Sequence, residues 1–583
     1  MNKIKIGASL AVAAVLAAGL TGCGDSSESG TSASGAKADL ANTAVANPSE
    51  KKGGNLSFAM SSDWDSPDPG DTYYAFSWNF ARYYARSLVT FKEEPGVANL
   101  QVVPDLAETL GTPSDGGKTW TYKIRKGVKY DDGTEVKAQD VKYAVERSNF
   151  TSELQLGPKY FKQYLVDNPG GYKGPYKDKS KGGLKSIETP DDHTIVFHLN
   201  TPFSEFDYLA TMPQTAPVPR AKDTGVNYKK EMVSSGPYKV DSYVPGKEMK
   251  LSRNTNWAAE TDPIRKALPD TISVALNQNQ DDIDNKLLSG AVHVDLAGAG
   301  LATAAQPRVL GNDAQKRNSD VATGSALTYM TINTKVAPFD NEACRKAVQF
   351  AIDKVSVQTG LGGPVGGGAL ASTIMPPSVA GYEKFDLYPA SGNAGDQDKA
   401  KEQLAACGKP DGFSTVLTAR ADRPKEIAAA EAVQQGLAKV GIKVEIKSYP
   451  SGDYFTKYAG APSFMKSNKV GLAMMKWAAD WPSGFGFLQQ IVDGRAVKPA
   501  GNTNLSETDI KAVNDLFDAS MLENDTDKRN AIYSQIDKLV MESGDVVPLT
   551  YSNQLLYRPE SVTNVFVSAA LGGMYSYLNM GVK

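Results

Sequence analysis

A chain of 583 residues is too long for one hydrophobic core and should divide into two or three domains. With 41% apolar and 22% charged residues it has the composition of a folded globular protein. A formal net charge of -3 without a basic block speaks against a nucleic-acid partner, and three scattered histidines, His193, His198 and His293, are too few for a histidine metal site.

At the N-terminus, Lys3 and Lys5 precede an apolar run from Ile6 to Leu20, followed by Thr21, Gly22 and Cys23. A short basic stretch, about 15 apolar residues and a small-residue end are the parts of an export signal. The run is short for a membrane-spanning helix, which needs about 20 residues. Its LTGC ending resembles the lipobox of bacterial lipoproteins. That implies removal of residues 1–22, lipid attachment at Cys23, and an extracytoplasmic protein anchored in the cell membrane through two acyl chains. Residues 23–52 are rich in Ser, Gly, Ala and Asp, bury little apolar surface, and are expected to form a flexible tether.

Beyond it, Leu56 and Phe58 begin a strand, SPDP is a loop, and Tyr74 to Val89 has the length and aromatic pattern of a helix. From Val103 to Ser148 the chain reads VPDLAETLGTPSDGGKTWTYKIRKGVKYDDGTEVKAQDVKYAVERS. Trp120, Tyr122 and Ile124 alternate with polar residues as in a half-buried strand. Asp-Gly turns flank them, and Val141, Ala144, Val145 and Ser148 form one face of a helix. Phe150 to Lys185 reads as a loop excursion, and Pro190, Asp191 and Asp192 turn a hairpin into the strand Thr194 to Leu199. Leu287 to Gly298 reads as a helix and then a strand.

Cys344 sits on an apolar helical face and Cys407 ends another helix. An even pair in an exported protein invites a disulfide, although two helices could equally bury separate thiols. Gly360 to Ala369, GLGGPVGGGA, lacks the Lys-Ser/Thr of a phosphate loop and is expected to be a flexible loop. Lys425 to Val440 is helical, stopped by Gly441, before a strand through Ile442, Val444 and Ile446. Asp480 lies between the apolar run Val470–Met475 and a Pro-Gly loop, flanked by Trp477 and Trp481. Such a carboxylate would be partly desolvated and would want a cation.

PDLAE and KIRKGVKYDDGTEVKAQDV closely resemble a block of the family 5 extracellular solute-binding proteins, the oligopeptide- and dipeptide-binding partners of ABC importers. SSGPYKV, LSRNTNW, LLSGAVHVDLAG, the PFDNEACRKAVQFAID block and DVVPLTYSNQLLYRPESVTNVFV resemble further family segments in the family's order, from Gly53 to the C-terminus. The resemblance implies an α/β, two-lobed periplasmic-binding-protein-like (type II, cluster C) fold with an extra small domain. Lobe I would take residues 53–88, 213–311 and 548–583, the extra domain 89–212, and lobe II 312–547.

It also implies a monomer without a cofactor or metal that captures a peptide and meets the membrane permease subunits of an ABC transporter. In relatives, a strand after the DP loop pairs with bound peptide, which would place Tyr73, Tyr74 and Ala75 on the ligand; the same tyrosines could instead merely begin the helix. An Arg followed by Pro meets the ligand carboxylate in dipeptide-binding relatives, which points to Arg423 by sequence or Arg420 by distance to Gly441. The W-x-x-D stretch places the peptide's α-ammonium on Asp480, with Trp477, Ala478 and Trp481 beside it. Met474 stands where some oligopeptide-binding relatives have Arg, so carboxylate recognition must differ here.

Within the same fold a sugar, opine, antibiotic or metal complex is the alternative ligand, and a signalling rather than a nutritional use stays open. No HExxH, GxSxG, Cys–His pairing or Walker lysine marks an enzyme, and the acid pairs Asp131/Asp132, Asp191/Asp192 and Asp281/Asp282 sit in turn contexts.

Overall fold

The computed structural model describes residues 38–178, 182–523 and 525–583. The expected export signal and the lipidation site Cys23 lie outside the described residues. Among those described, three larger sheets carry the fold. The first orders its strands Val294–Asp295, Asn55–Ala59, Thr271–Ala275, Glu248–Arg253 and Tyr238–Val244. The second runs Ala369–Leu370, Val546–Tyr557, Ser319–Ile332, Val470–Ala478, Ser414–Arg420 and Lys443–Tyr449. The third is antiparallel, in the order Thr112–Ser114, Thr119–Lys123, Thr194–His198 and Ile187–Asp191. Helices packed on the first two sheets make the two lobes of an α/β fold, and the third sheet is the heart of the small extra domain.

The Val103–Ser148 block folds as its pattern demands. Trp120 and Tyr122 are buried on one face of the strand Thr119–Lys123, while Lys123 is exposed. Val141, Ala144, Val145 and Ser148 are the buried face of the helix Ala138–Asn149, whose first turn is closed by Asp140 accepting from the Lys137 amide at 3.0 Å. The core of the extra domain continues into the second lobe, where Phe203 meets Phe485 with ring centroids 5.3 Å apart.

Two long antiparallel strands, Ser319–Ile332 and Val546–Tyr557, connect the lobes. Thr331 to Leu327 pair with Val546 to Tyr551 inside the second sheet. Beyond a register break the pairing resumes at Thr323 and Asn553, and Leu555 then packs with Ile283, Leu287 and Leu301 of the first lobe. The chain therefore leaves the second lobe inside this strand and not at Pro548, because Pro548 to Tyr551 still belong to its ladder.

Other expectations need correction. Residues 38–52 do not form a free tether. Asp39 donates its amide to the Ser319 carbonyl (3.0 Å), Ala41 donates to Asp320 (2.9 Å), and Ala46 pairs with Val565. This segment is held by hydrogen bonds, which an apolar count does not register. The first helix is only Ala75–Ala81, because the Tyr83 and Tyr84 carbonyls are taken by the SSGPY segment. Gly236 makes that approach possible: a Cβ there would sit 2.6 Å from the Tyr83 carbonyl oxygen. Within the supposed excursion from Phe150 to Lys185, Tyr160–Tyr164 is a short helix with Tyr160, Phe161 and Tyr164 buried. The glycine-rich stretch is ordered too, as a helical turn Gly363–Gly366 and the strand Ala369–Leu370, and a Cβ on Gly368 would collide with the Tyr551 carbonyl.

Helices Glu342–Ala351 and Gln397–Ala406 pack together and join Cys344 to Cys407, with Cα atoms 5.4 Å apart. Thiol titration of denatured, unreduced protein beginning after Cys23 should therefore find neither thiol free. Replacing both by Ala should lower stability by about 2–4 kcal/mol. Two titratable thiols would contradict the bridge.

Candidate functional site

A cavity of about 280 Å³ is lined by residues of both lobes and of the extra domain. That is near the lower edge of the roughly 300–1,000 Å³ usual for small-molecule sites. Tyr74, at φ -93° and ψ 135°, is extended and leads at once into the helix Ala75–Ala81, so both tyrosines precede the helix and neither belongs to it. The Tyr73 amide is spent on Asp65 Oδ2 (2.6 Å). Its hydroxyl crosses to the second lobe and donates to Asp480 Oδ2 (2.7 Å), while the Tyr74 hydroxyl donates to the Ser451 carbonyl (2.8 Å). Tyr73, Tyr74 and Ala75 all line the cavity.

Asp480 follows the end of the buried strand Val470–Ala478 and is tethered by its amide to the Gly486 carbonyl (2.9 Å). Its Oδ2 also accepts from Tyr160 of the extra domain (2.7 Å), and no group among the described residues donates to Oδ1. Burial raises Asp480 from the ordinary carboxylate range to about 7, against the pull of the two hydroxyls and of Lys498. Lys498 donates to the Gly157 carbonyl (2.7 Å) and stands 5.4 Å over the Tyr73 ring. Burial and Lys159 push Lys498 down to about 7, opposed by Asp480 and Asp71.

Trp477 packs perpendicular to the Tyr73 ring, centroids 5.6 Å apart, its indole N–H fixed on the Phe487 carbonyl (2.7 Å), and Ala478 lines the wall beside it. Trp481 does not belong to the site. It is fully buried, its N–H donates to Glu205 (2.6 Å), and it stacks on Tyr208 and Phe485. The strand ends at Ala478, so two-residue alternation no longer carries Trp481 to the cavity side.

A second, cationic group lines the cavity through Arg420, Arg423, Lys425 and Lys476. Arg420 cannot serve as a free carboxylate receptor, because Nε (2.9 Å) and Nη2 both donate to Glu426 Oε2. Arg423 is nearest to Asp422, at 3.6 Å. Lys425 lies just past the Pro424 that opens its helix; burial holds its ammonium down to about 8, against the pull of Asp284 and Asp295. Burial, with Lys425, Arg423 and Arg420 nearby, pushes Lys476 down to about 7. With the Gln554 carboxamide turned so that its nitrogen faces the Gly298 carbonyl, its oxygen accepts from Lys476 at 3.0 Å.

The wall thus has an acidic pole, Asp480 and Tyr73 backed by Tyr160 and Lys498, and a cationic pole, Arg423, Lys425 and Lys476. Tyr160, Lys498, Lys425 and Lys476 were missed from sequence. A lone Lys in the otherwise apolar VGLAMMKWA strand was a signal for Lys476; the others come from segments distant in the chain.

Among solved structures the chain is similar to clavulanic acid biosynthesis oligopeptide binding protein 2, at 40% identity and a TM-score of 0.85, covering 94% of this chain and 99% of that one. It shares the fold of the ABC transporter-associated periplasmic binding protein DppA from Helicobacter pylori in complex with peptide STSA (22% identity, TM-score 0.75, 91% of this chain and 99% of that one). A glutathione-binding protein, GsiB of Escherichia coli O6:K15:H31 (strain 536 / UPEC), is 24% identical over 530 residues, 89% of this chain and 93% of its own. The model of the bacterial extracellular solute-binding proteins, family 5 Middle, matches residues 101–498, more than half of the chain. Proteins of that family bind their solutes and are not enzymes. On this match, on the relative at 40% identity and on the two-lobed fold around a charged cavity, the chain belongs to family 5 of the bacterial extracellular solute-binding proteins.

Proposed function

We propose that this protein is a lipid-anchored receptor that captures short peptides outside the cytoplasmic membrane and delivers them to the permease subunits of an ABC importer. The observation that carries the reading is the pair of poles in one cavity: a carboxylate with an unused oxygen and a separate group of cations, the complement of a free peptide's ammonium and carboxylate. The modest volume favours a short peptide. The side chains of Tyr73 and Tyr74 already bridge the lobes, which suits a ligand enclosed by lobe closure. Arg423, with Lys425 and Lys476, takes the role that sequence left open between Arg420 and Arg423. Mass spectrometry of ligand released from protein purified without added solute tests the reading; a sugar or a metal complex in place of a peptide would overturn it. Glutathione belongs in the calorimetric panel because of the relative that binds it.

Anchoring rests on the LTGC sequence ending at Cys23. Cys23→Ala should leave the protein unprocessed or release it to the medium. Unchanged partition of that variant into detergent would contradict the anchor.

A further inference from the structure

The cationic pole holds more hydrogen-bond donors than a single ligand carboxylate can satisfy. We infer that the preferred ligand is a short peptide with two acid groups at this pole, its own carboxylate and that of a C-terminal Asp or Glu side chain. The inference rests on the peptide reading and specifies the class of peptide.

Four acids stand near these cations, and each also accepts hydrogen bonds from other donors. Glu426 is taken by Arg420. Asp422 accepts from the Ser451 amide and hydroxyl, both at 2.8 Å. Asp295 accepts from the Ala297 (3.1 Å) and Ala299 (2.9 Å) amides. Asp284 accepts from the Ala302 amide (2.7 Å) and Gln280 (3.1 Å).

Among the described residues the cations have few direct partners, and Arg423 meets only Asp422, at the ion-pair distance of 3.6 Å. Arg423 Nε and Lys425 Nζ are both closed off from solvent, and neither has a hydrogen-bond partner among the described residues. Lys476 has the Gln554 oxygen. One carboxylate offers two oxygens, and a guanidinium fork can engage both. If Arg423 takes the terminal carboxylate, two ammonium groups stay buried beside it, an arrangement that is costly unless an anion is supplied. A second carboxylate one side chain away supplies it. Burial is the main cause that holds Lys425 and Lys476 down, and at Lys476 the neighbouring cations add to it.

The test is calorimetry with Ala-Glu and Ala-Ala-Glu, each against its Gln counterpart. The Glu peptide should bind the parent protein at least about tenfold more tightly, the worth of one more charged hydrogen bond. Lys425→Gln and Lys476→Gln should narrow that ratio. A ratio near one in the parent overturns the inference and leaves peptide capture standing. A ratio undiminished in both variants also overturns it, since the acid would then be read elsewhere. Binding of none of the four peptides overturns it together with the reading beneath it.

Discussion

Asp480→Asn should weaken the binding of free peptides by about 30-fold to several thousand-fold while leaving the fold intact. That range is the roughly 2–5 kcal/mol lost when one partner of a buried, hydrogen-bonded charge pair is removed. The substitution keeps the shape, and its carboxamide oxygen can still accept from Tyr73 and Tyr160, which now hold Oδ2. What it removes is the negative charge and the oxygen left for a ligand ammonium. N-acetylated peptides should bind the parent poorly for the same reason. Equal calorimetric affinity for free and acetylated peptides would sink the assignment.

The pH dependence gives an independent check with a definite sign. Burial raises Asp480 to about 7, and an arriving ammonium favours the ionised form. The contribution of Asp480 to affinity should therefore fall as pH drops through 7, where the carboxylate takes up a proton. Asp480→Asn should lose this dependence on the acid side. An unchanged acid limb in the variant would assign the titration to another group.

The sequence made the acidic pole legible because both of its signals are local. An apolar run fixes a buried strand, and a carboxylate just past its end is desolvated whatever else the fold does. Trp477 and Trp481 were both named from the W-x-x-D resemblance, but the strand ends at Ala478 and only Trp477 lines the cavity. Arg420 entered as a candidate by its distance to Gly441 alone, and the helix that follows turns Glu426 back onto it. Composition misjudged residues 38–52 for a related reason: their anchoring partners, Ser319, Asp320 and Val565, lie hundreds of positions away. Tyr160 and Lys498 share that obstacle. Tyr160 meets Asp480, and Lys498 meets the Tyr73 ring and the Gly157 carbonyl, across segments that no window of sequence displays together.

The largest loss of stability should come from Asp105, the acid of PDLAE. Its carboxylate accepts from Arg86 Nε (2.9 Å) and from Arg265 Nη1 (2.8 Å) and Nη2 (2.7 Å), and its carbonyl accepts from Arg86 and Arg125. Asp262 completes the group, 3.3 Å from Arg265, and its side chain, like those of Arg86 and Asp105, is wholly buried. Burial alone would raise Asp262, yet the two guanidiniums hold it below the ordinary range, so the carboxylate is firmly ionised. Two cations and two anions thus balance where the extra domain leaves the first lobe. Asp105→Asn leaves both arginines facing one acid in a site closed to water. Breaking a buried pair in this way costs about 3–5 kcal/mol, because the surviving charge keeps its desolvation penalty and loses its compensation. The free energy of urea unfolding should fall by about that amount. Lys137 and Asp192 provide the control: their ion pair is just as short, 2.9 Å, but both side chains are half exposed, so Lys137→Ala should leave the urea midpoint in place. If the two substitutions moved the midpoint alike, burial would not be what gives the Asp105 cluster its weight.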